Sequence, residues 1–445
     1  MTLPRGWTDT TLGEICYVLR GVTYDKVDAR SVPGAGLVPI ARATNIQSGQ
    51  LNRVDLVYVP ESCVSDDQHL REGDMVIATS SGSKSVVGKA ARAGHRHRDM
   101  AFGAFCGVVR PAELSIGDWI ARVFETSEYR VFVESVAIGT NINNLRSRDL
   151  QGYGFSMPPE AEQRRIVAKL DALTARLARA RAELDRVPVL AANLRRAALK
   201  HLWDFPCDAG IENLLATPIR NGLSVKGSDQ PPGVPALKLS ALRRSPVDLL
   251  DVRYLPIPSE RADTFRLSDK DVLVSRGNGT LSLIGRAALV VDSGTSELPI
   301  FPDTAFRLRL DPSRASARWL THVWNSPGVR VQIESVARTT AGIWKISQRD
   351  LISIRLPRVE VNRQEALANQ VDAAFARADR LEAEATRARA LLDRLESALL
   401  AKAFRGELVP QDPTDEPAQA LLDRIRTQRA AAPKAKWGRK AKVAA

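Results

Sequence analysis

Residues 166–198 read IVAKLDALTARLARARAELDRVPVLAANLRRAA, and residues 367–399 read LANQVDAAFARADRLEAEATRARALLDRLESAL. Taken at alternating steps of four and three, the first stretch sets Ile166, Leu170, Leu173, Leu177, Ala180, Leu184, Val187, Ala191, Leu194 and Ala198 in one row. The second sets Leu367, Val371, Ala374, Ala378, Leu381, Ala385, Ala388, Leu392, Leu395 and Leu399 in another, each 201 residues after its counterpart. An apolar row with a mean period of 3.5 residues is what two α-helices need to wind about each other. Neither helix can bury its row against water alone, so each is expected to take the other as partner. Two unrelated amphipathic helices on two separate cores are the alternative, and the shared offset argues against it.

Pro158-Pro159-Glu160 opens the first helix, where proline is tolerated and where Glu160 and Glu162 suit the positive end of the dipole. Pro188 lies inside the periodic stretch and is expected to kink or break it, because it lacks an amide donor and crowds the preceding turn. The second copy has Arg389 there and should run unbroken from Gln364 to Phe404, a rod of about 60 Å.

The flanking segments repeat as well. Residues 1–157 read as short β-type runs, such as Leu37-Val38-Pro39-Ile40, Met75-Val76-Ile77-Ala78 and Gly107-Val108-Val109, broken by Gly, Pro, Asn and Ser clusters. Short helices are expected near Trp119–Phe124 and Tyr129–Val136. In residues 203–357, Asp271-Val272-Leu273-Val274 answers Asp74-Met75-Val76-Ile77, and Trp319 answers Trp119. Arg330-Val331-Gln332-Ile333-Glu334-Ser335-Val336-Ala337 matches Arg130-Val131-Phe132-Val133-Glu134-Ser135-Val136-Ala137 at six of eight positions. So long a period means duplicated domains and not a solenoid. The predicted fold is α+β: two pseudo-two-fold-related globular domains of mixed sheet and short helices, separated by a long antiparallel two-helix coiled coil. The expected boundaries are 1–157, helix 158–202, 203–357, helix 358–405, and a C-terminal piece 406–445. That last piece holds a short helix ending near Arg429 and a basic tail with Lys434, Lys436, Arg439, Lys440 and Lys442.

A chain of 445 residues is too long for one core. It has no apolar run of membrane-spanning length and no signal-peptide core at its start, which leads us to expect a cytoplasmic protein. Cys16, Cys63, Cys106 and Cys207 are scattered, as reduced thiols would be. The net charge of +13 favours a polyanionic partner, most often nucleic acid.

Catalytic signatures fail one by one. Gly82 to Ala90 has one residue too many for a phosphate loop and Ala90 where a hydroxyl should hold the metal. Gly277-Asn278-Gly279 lacks a third glycine and reads better as a hairpin turn at Asn278-Gly279. His69, His95, His97, His201 and His322 have no metal spacing, and His95-Arg96-His97 reads as a basic loop. Asp66-Asp67, Asp269 and Asp271 read as turn or strand-edge carboxylates. No catalytic residue, metal ligand or cofactor site is expected in this chain.

Basic, amide and hydroxyl side chains instead gather in strand-flanking loops at matching places. The first half has Arg42 and Asn45, then Ser80, Ser81, Ser83 and Lys84, with Lys89 and Arg92 beyond. The second has Lys238, Arg243 and Arg244, then Arg276, Asn278 and Thr280, with Arg286. Asn141, Asn143, Asn144 and Arg146 form a further loop, answered by Trp344 and Lys345. Arg and Lys can donate to guanine O6 and N7, Asn can bridge adenine N6 and N7, and hydroxyls suit bases or phosphates. The set points to double-stranded DNA.

Several motifs in order then resemble the specificity subunit of a Type I restriction–modification system. They are Trp7 with Leu12-Gly13-Glu14-Ile15, Gly73-Asp74-Met75-Val76-Ile77-Ala78-Thr79, and Pro158 to Val167. Leu400-Ala401-Lys402-Ala403-Phe404-Arg405-Gly406-Glu407-Leu408 and Asp415-Glu416-Pro417-Ala418 complete the order. The likeness covers essentially the whole chain, although Arg363-Gln364 stands where the first copy has Glu162-Gln163. It implies a non-catalytic bacterial defence protein with two target recognition domains, each reading one part of an asymmetric split DNA site, and helices that set the gap. Two modification subunits carrying S-adenosylmethionine and adenine-N6 methylation would dock on it, and restriction subunits carrying ATP and magnesium would join them. The other readings are a coiled-coil adaptor without DNA contact, a methyltransferase-only system, and a nuclease with an unrecognised centre.

Overall fold

The computed structural model of the chain describes residues 3–47, 49–137, 143–292, 294, 297–340 and 342–431. The charged tail from Lys434 and the amide Asn141 lie outside these residues. The chain divides into two compact units, residues 1–182 with 388–445, and residues 183–387.

In the first unit an antiparallel core of strands runs in the order Cys16–Arg20, Cys106–Pro111, Met75–Ala78 and Ala90–Arg92, continued by Gln50–Leu51 and Ile46–Gln47. A second sheet joins Ala101–Phe102, Leu37–Ala41 and Val57–Pro60. Helices Gly117–Val123 and Ser127–Val136 cover the larger sheet, with Trp119 1% exposed and stacked on Phe404 at 4.4 Å. The second unit rebuilds the same core as Arg220–Asn221, Ala305–Leu308, Val272–Ser275 and Ala287–Leu289, covered by helices Ala317–Trp324 and Pro327–Val336. Registers agree: Val76 faces Ala91 and Leu273 faces Ala288. All four of these side chains are fully buried. Beneath both central strands sits an acid–base pair, Arg110 with Asp74 and Arg309 with Asp271. These pairs give both aspartates a structural task, and for Asp271 that agrees with its reading as a turn or strand-edge carboxylate. Asp74 and Asp271 also accept the backbone amides of Arg71 and Ser268 and so close the turn before each strand.

The long helices span Glu160–Lys200 and Val361–Phe404. In the first unit Ile166 and Leu170 share a core with Leu400 and Ala403, and Arg181 reaches Asp393 and Glu396, so the chains run antiparallel there. In the second unit Ala198 and Leu199 pack on the core that holds Ala368 and Val371, and Arg195 reaches Asp379 and Glu382. Most of the expected row is covered in the structure, one half of it more fully than the other. Its every-seventh members, Leu170, Leu177, Leu184, Ala191, Ala198 and Val371, Ala378, Ala385, Leu392, Leu399, are all buried or half-buried. In the other row Ala180, Leu381 and Leu395 are exposed. Small side chains at Ala191, Ala378 and Ala385 fill the seam. The rest of the other row, with Ile166 fully buried, is buried or half-buried, so Ala180, Leu381 and Leu395 alone lie at the rim.

Pro188 does not break the first helix, which is continuous through it. A buried proline ring would displace its neighbours, but Pro188 faces solvent while Val187 and Ala191 hold the seam on either side. Seam burial, at about 1.5–3 kcal/mol per large apolar side chain, offsets a local cost of about 3 kcal/mol.

Each globular part is tied to a long helix by matching contacts. Gln163 donates to the Pro158 carbonyl at 2.8 Å, and Gln364 donates to the Val359 carbonyl at 2.7 Å. Arg122 pairs with Asp171; at the matching place Arg318 and His322 pair with Asp372. The pair of residues that differed in sequence also differs here. Buried Glu162 accepts the Trp7 indole N–H at 3.1 Å, whereas exposed Arg363 lies over the Phe205 ring at 4.7 Å. The C-terminal helix, Ala418–Ala431, buries Leu421, Leu422 and Ile425 in the first unit's core. There Arg429 donates to the Gly13 carbonyl at 2.7 Å.

Candidate nucleic-acid interface

The polar loops noted in the sequence meet in space as twin ribbons, two-stranded in the first unit and, with Arg338–Thr340 added, three-stranded in the second. In the first unit Ser80–Ser81 pairs antiparallel with Asn143–Asn144, Asn143 opposite Ser81 and Asn144 opposite Ser80. The Ser80 hydroxyl donates to Asn144 Oδ1 at 3.0 Å. In the second unit Gly277–Asn278 pairs with Ile343–Lys345, Asn278 opposite Trp344 and Gly277 opposite Lys345. Segments far apart in sequence are thus joined at equivalent places, with different side chains on each ribbon.

Beyond each ribbon the chain makes a short loop to the next sheet strand. Ser83 and Lys84 are exposed on the first loop, and Thr280 is exposed on the second. Asn278-Gly279 does not close a two-residue hairpin, because its strand pairs with Ile343–Lys345 and not with the next strand in sequence. Asn278 Oδ1 instead accepts the Thr280 amide at 3.0 Å and starts the loop.

The candidates divide by whether an internal partner occupies them. Among the described residues, Lys84, Lys89, Arg146, Arg243, Arg244, Arg286 and Lys345 are exposed without a carboxylate partner. Arg286 donates to the Arg243 carbonyl at 3.1 Å, which sets three arginines side by side. With Arg196 and Leu199 they line a groove of about 1030 Å³ in the second unit. These cations can donate to phosphate oxygens or base edges. Arg276 is half-buried, with its guanidinium 5.8 Å from the Phe306 ring centre and bonded to the Asp303 carbonyl at 3.3 Å.

Other candidates are engaged within the domains. Asn45 is 1% exposed; its amide accepts from the Arg42 N–H at 2.9 Å and donates to Asn52 Oδ1 and the Val54 carbonyl. Both of its functional ends are used in shaping a loop. Arg42 donates to the Asp55 carbonyl, Arg92 pairs with Asp118, and Lys238 pairs with Asp229 at 2.8 Å. Asn143 is 5% exposed and donates weakly to the Gly82 carbonyl at 3.4 Å, while its Oδ1 has no partner. His97 leaves the basic loop that was expected. It is buried, with Nδ1 accepting the Gly94 amide and Nε2 facing the Leu51 carbonyl, and burial lowers its pKa. His95 and Arg96 remain exposed. Residues that sequence reasoning passed over are Arg130 and Arg330, which hold the two loops. The six-of-eight match around them was the available signal.

No group of three or more His, Cys, Asp or Glu side chains among the described residues is placed to hold a metal ion. No described helix is long and apolar enough to cross a membrane.

Two mixed-sheet domains, each holding out a polar ribbon and each seated on paired long helices, define a duplicated α+β scaffold. Residues 4–186 match the family model for the Type I restriction modification DNA specificity domain. The chain is 35% identical to the Type I restriction enzyme EcoKI specificity subunit of Escherichia coli (strain K12), over 98% of each chain. It is 32% identical to the StySPI specificity subunit of Salmonella potsdam, again over 98% of each. In fold it resembles the HsdS subunit from Thermoanaerobacter tengcongensis, with a TM-score of 0.61 at 19% identity over 92% of this chain and 99% of that one. A chain solved in work on assembly and conformational transition of the type I R-M system gives 0.68 at 18% identity, over 92% and 100%. The chain belongs to the family of Type I restriction enzyme specificity subunits.

Proposed function

We propose that this chain is the non-catalytic DNA-reading subunit of a Type I restriction–modification assembly. Residues 1–157 read one part of a split target, residues 203–357 read the other, and the paired helices of residues 158–202 and 358–405 set the unread gap. The observation that carries this reading is the twin ribbon: one scaffold at two equivalent places, dressed with Ser80, Ser81, Asn143 and Lys84 in one copy and with Asn278, Trp344, Lys345 and Thr280 in the other. Equivalent frames with unlike side chains predict an asymmetric target, since base edges are distinguished by donor and acceptor pattern. The unpartnered cations beside each ribbon supply phosphate contacts, which position the reader without specifying sequence.

Adenine-N6 methylation falls to two modification subunits docked on the helices, with S-adenosylmethionine bound there, and ATP and magnesium belong to restriction subunits. The assembly works in the cytoplasm. The test is co-expression with the cognate modification subunit, followed by mapping of methylated adenines. A split motif is expected, one half of which changes when residues 1–157 are exchanged for those of a relative. An unchanged motif after that exchange defeats the proposal. Loss of DNA binding as salt rises separates it from a coiled-coil adaptor.

A further inference from the structure

We propose that Arg130 and Arg330 are positioning residues that hold the reading loop of each domain by its backbone alone, leaving the loop's side chains free to differ. The inference rests on the reading of those loops as DNA contacts. In the first domain the Arg130 guanidinium donates to the Val87 carbonyl at 2.9 Å and to the Lys84 carbonyl at 2.8 Å. In the second, Arg330 donates to the Ile284 carbonyl and, at 3.4 Å, to the Leu281 carbonyl. Lys84 and Val87 stand 197 residues before Leu281 and Ile284, so the same two carbonyls are held in each copy. A glutamate one turn on aims Arg130, whose Nε donates to Glu134 at 2.9 Å; Glu334 stands as close to Arg330 Nε, at 2.9 Å, as an ion pair without hydrogen-bond alignment.

The same helices fix where each loop ends. Gly88 has φ +81° and Gly285 φ +67°, and a Cβ on either would come within 2.7 Å of Val133 or 2.8 Å of Ile333. Their amides bond back to the Ala78 and Ser275 carbonyls at 2.8 and 2.9 Å. Arg, Glu and the β-branched residue over the glycine all belong to the eight-residue segment that the two halves share. The loop side chains do not: Ser83-Lys84 stands where the other copy has Thr280-Leu281. A clamp that touches only carbonyls is indifferent to loop sequence, and a planar guanidinium holds two carbonyls in a fixed fork that a compact, freely rotating ammonium reproduces only in part. This arrangement accounts for a constant segment beside variable readers.

The test uses the full-length chain with Arg130→Gln, Arg130→Lys and Arg330→Gln, read first by amide hydrogen exchange. The Val86 and Gly88 amides, and the Leu283 and Gly285 amides, are hydrogen-bonded and so report on each loop. Arg130→Gln is expected to speed exchange at residues 82–88 at least tenfold and to leave 279–285 unchanged. Arg330→Gln should do the reverse, with Arg130→Lys in between. In complex with the modification subunit, each Gln variant should lose base preference about tenfold in its own half of the target, with the other half and the gap unaltered. A general loss of fold would slow or blur both halves together, so half-site selectivity separates positioning from bulk stability. Should Arg130→Gln not fold, Glu134→Gln keeps the guanidinium and loosens its aim, and a smaller effect confined to residues 82–88 is expected. Unchanged exchange in the variant's own loop, or equal loss in both halves, overturns the clamp. Wild-type complex that methylates no split site instead overturns the DNA-reading assignment, while exchange still decides the clamp.

Discussion

Arg181 on the first long helix donates to Glu396 on the second at 2.7 Å, and the residues 201 positions away from them, Glu382 and Arg195, meet at the same distance. The contact recurs with its charges exchanged, because both arginines stand on the first helix and both glutamates on the second. A first helix facing a copy of itself would oppose Arg181 with Arg195, and a second helix would oppose Glu382 with Glu396. Charges flanking a seam choose partners in this way and contribute little to stability. The side chains are about one-third exposed, between 26% and 38%, which places the Arg181–Glu396 pair in the range of about 0.2–1 kcal/mol.

Charge reversal tests this. Arg181→Glu or Glu396→Arg alone should lower the stability of the full chain by roughly 1 kcal/mol through like-charge contact, and the double reversal should restore part of it, since position 181 also faces Asp393. Denaturant unfolding at low salt is the measurement. The coupling should shrink at high salt, since partly exposed pairs are screened. Simple additivity of the two single changes would show that the pair does not interact.

The pairs beneath the central strands differ in burial and should differ in cost. Arg110 and Asp74 are 9% and 1% exposed, whereas Arg309 is 32% exposed beside an equally buried Asp271. Removing Arg110 strands a carboxylate that water cannot reach, so Arg110→Met should cost about 3 kcal/mol. At Arg309→Met water can enter where the guanidinium stood, and a loss nearer 1 kcal/mol is expected. Thermal or denaturant unfolding of the two variants decides it, and equal losses would contradict the account.

The duplication and the two helices were legible in the sequence because periodicity and repeat survive as patterns of residue type. The ribbons were legible only as loose clusters, since nothing in sequence pairs Ser81 with Asn143 or Asn278 with Trp344. Partner choice was the hidden layer. Arg92 and Lys84 look alike in composition, yet the helix starting at Gly117 brings Asp118 to one and nothing acidic to the other. Asn45 looked like a base reader and is a loop brace, because the facing groups come from residues 52 and 54. Pro188 was misjudged for a related reason: a local propensity was weighed without the packing on the opposite face of the helix.

His97 should make the first domain sensitive to mild acid. Its Nδ1 accepts the Gly94 N–H, so protonation there would set two donors face to face, and burial lowers the pKa below the ordinary histidine value. The unfolded chain then binds a proton more readily than the folded one, and stability rises with pH. The contribution is complete above the unfolded value, near 6.5, and is lost as pH falls from there through the lower folded value. His97→Asn should flatten the part of the stability profile that lies below the ordinary histidine value, at some cost in stability at neutral pH. An unaltered slope in pH-dependent unfolding would assign the acid sensitivity to other groups.

The proposed spacer role makes a prediction in base pairs. A heptad inserted into each long helix, between residues 182 and 195 in the first and between 382 and 396 in the second, keeps the seam in phase and retains both arginine–glutamate pairs. Seven residues add about 10.5 Å of helix, and DNA rises about 3.4 Å per base pair, so the unread gap should lengthen by about three base pairs. The bases read on either side should stay the same, because the ribbons are untouched. Insertion into one helix alone cannot satisfy the Arg181 and Arg195 contacts together, and it should weaken the pairing without setting a new gap. Mapping methylated adenines in cells that carry each insertion separates these outcomes. A doubly extended chain that still methylates at the original gap would show that something other than helix length determines the distance.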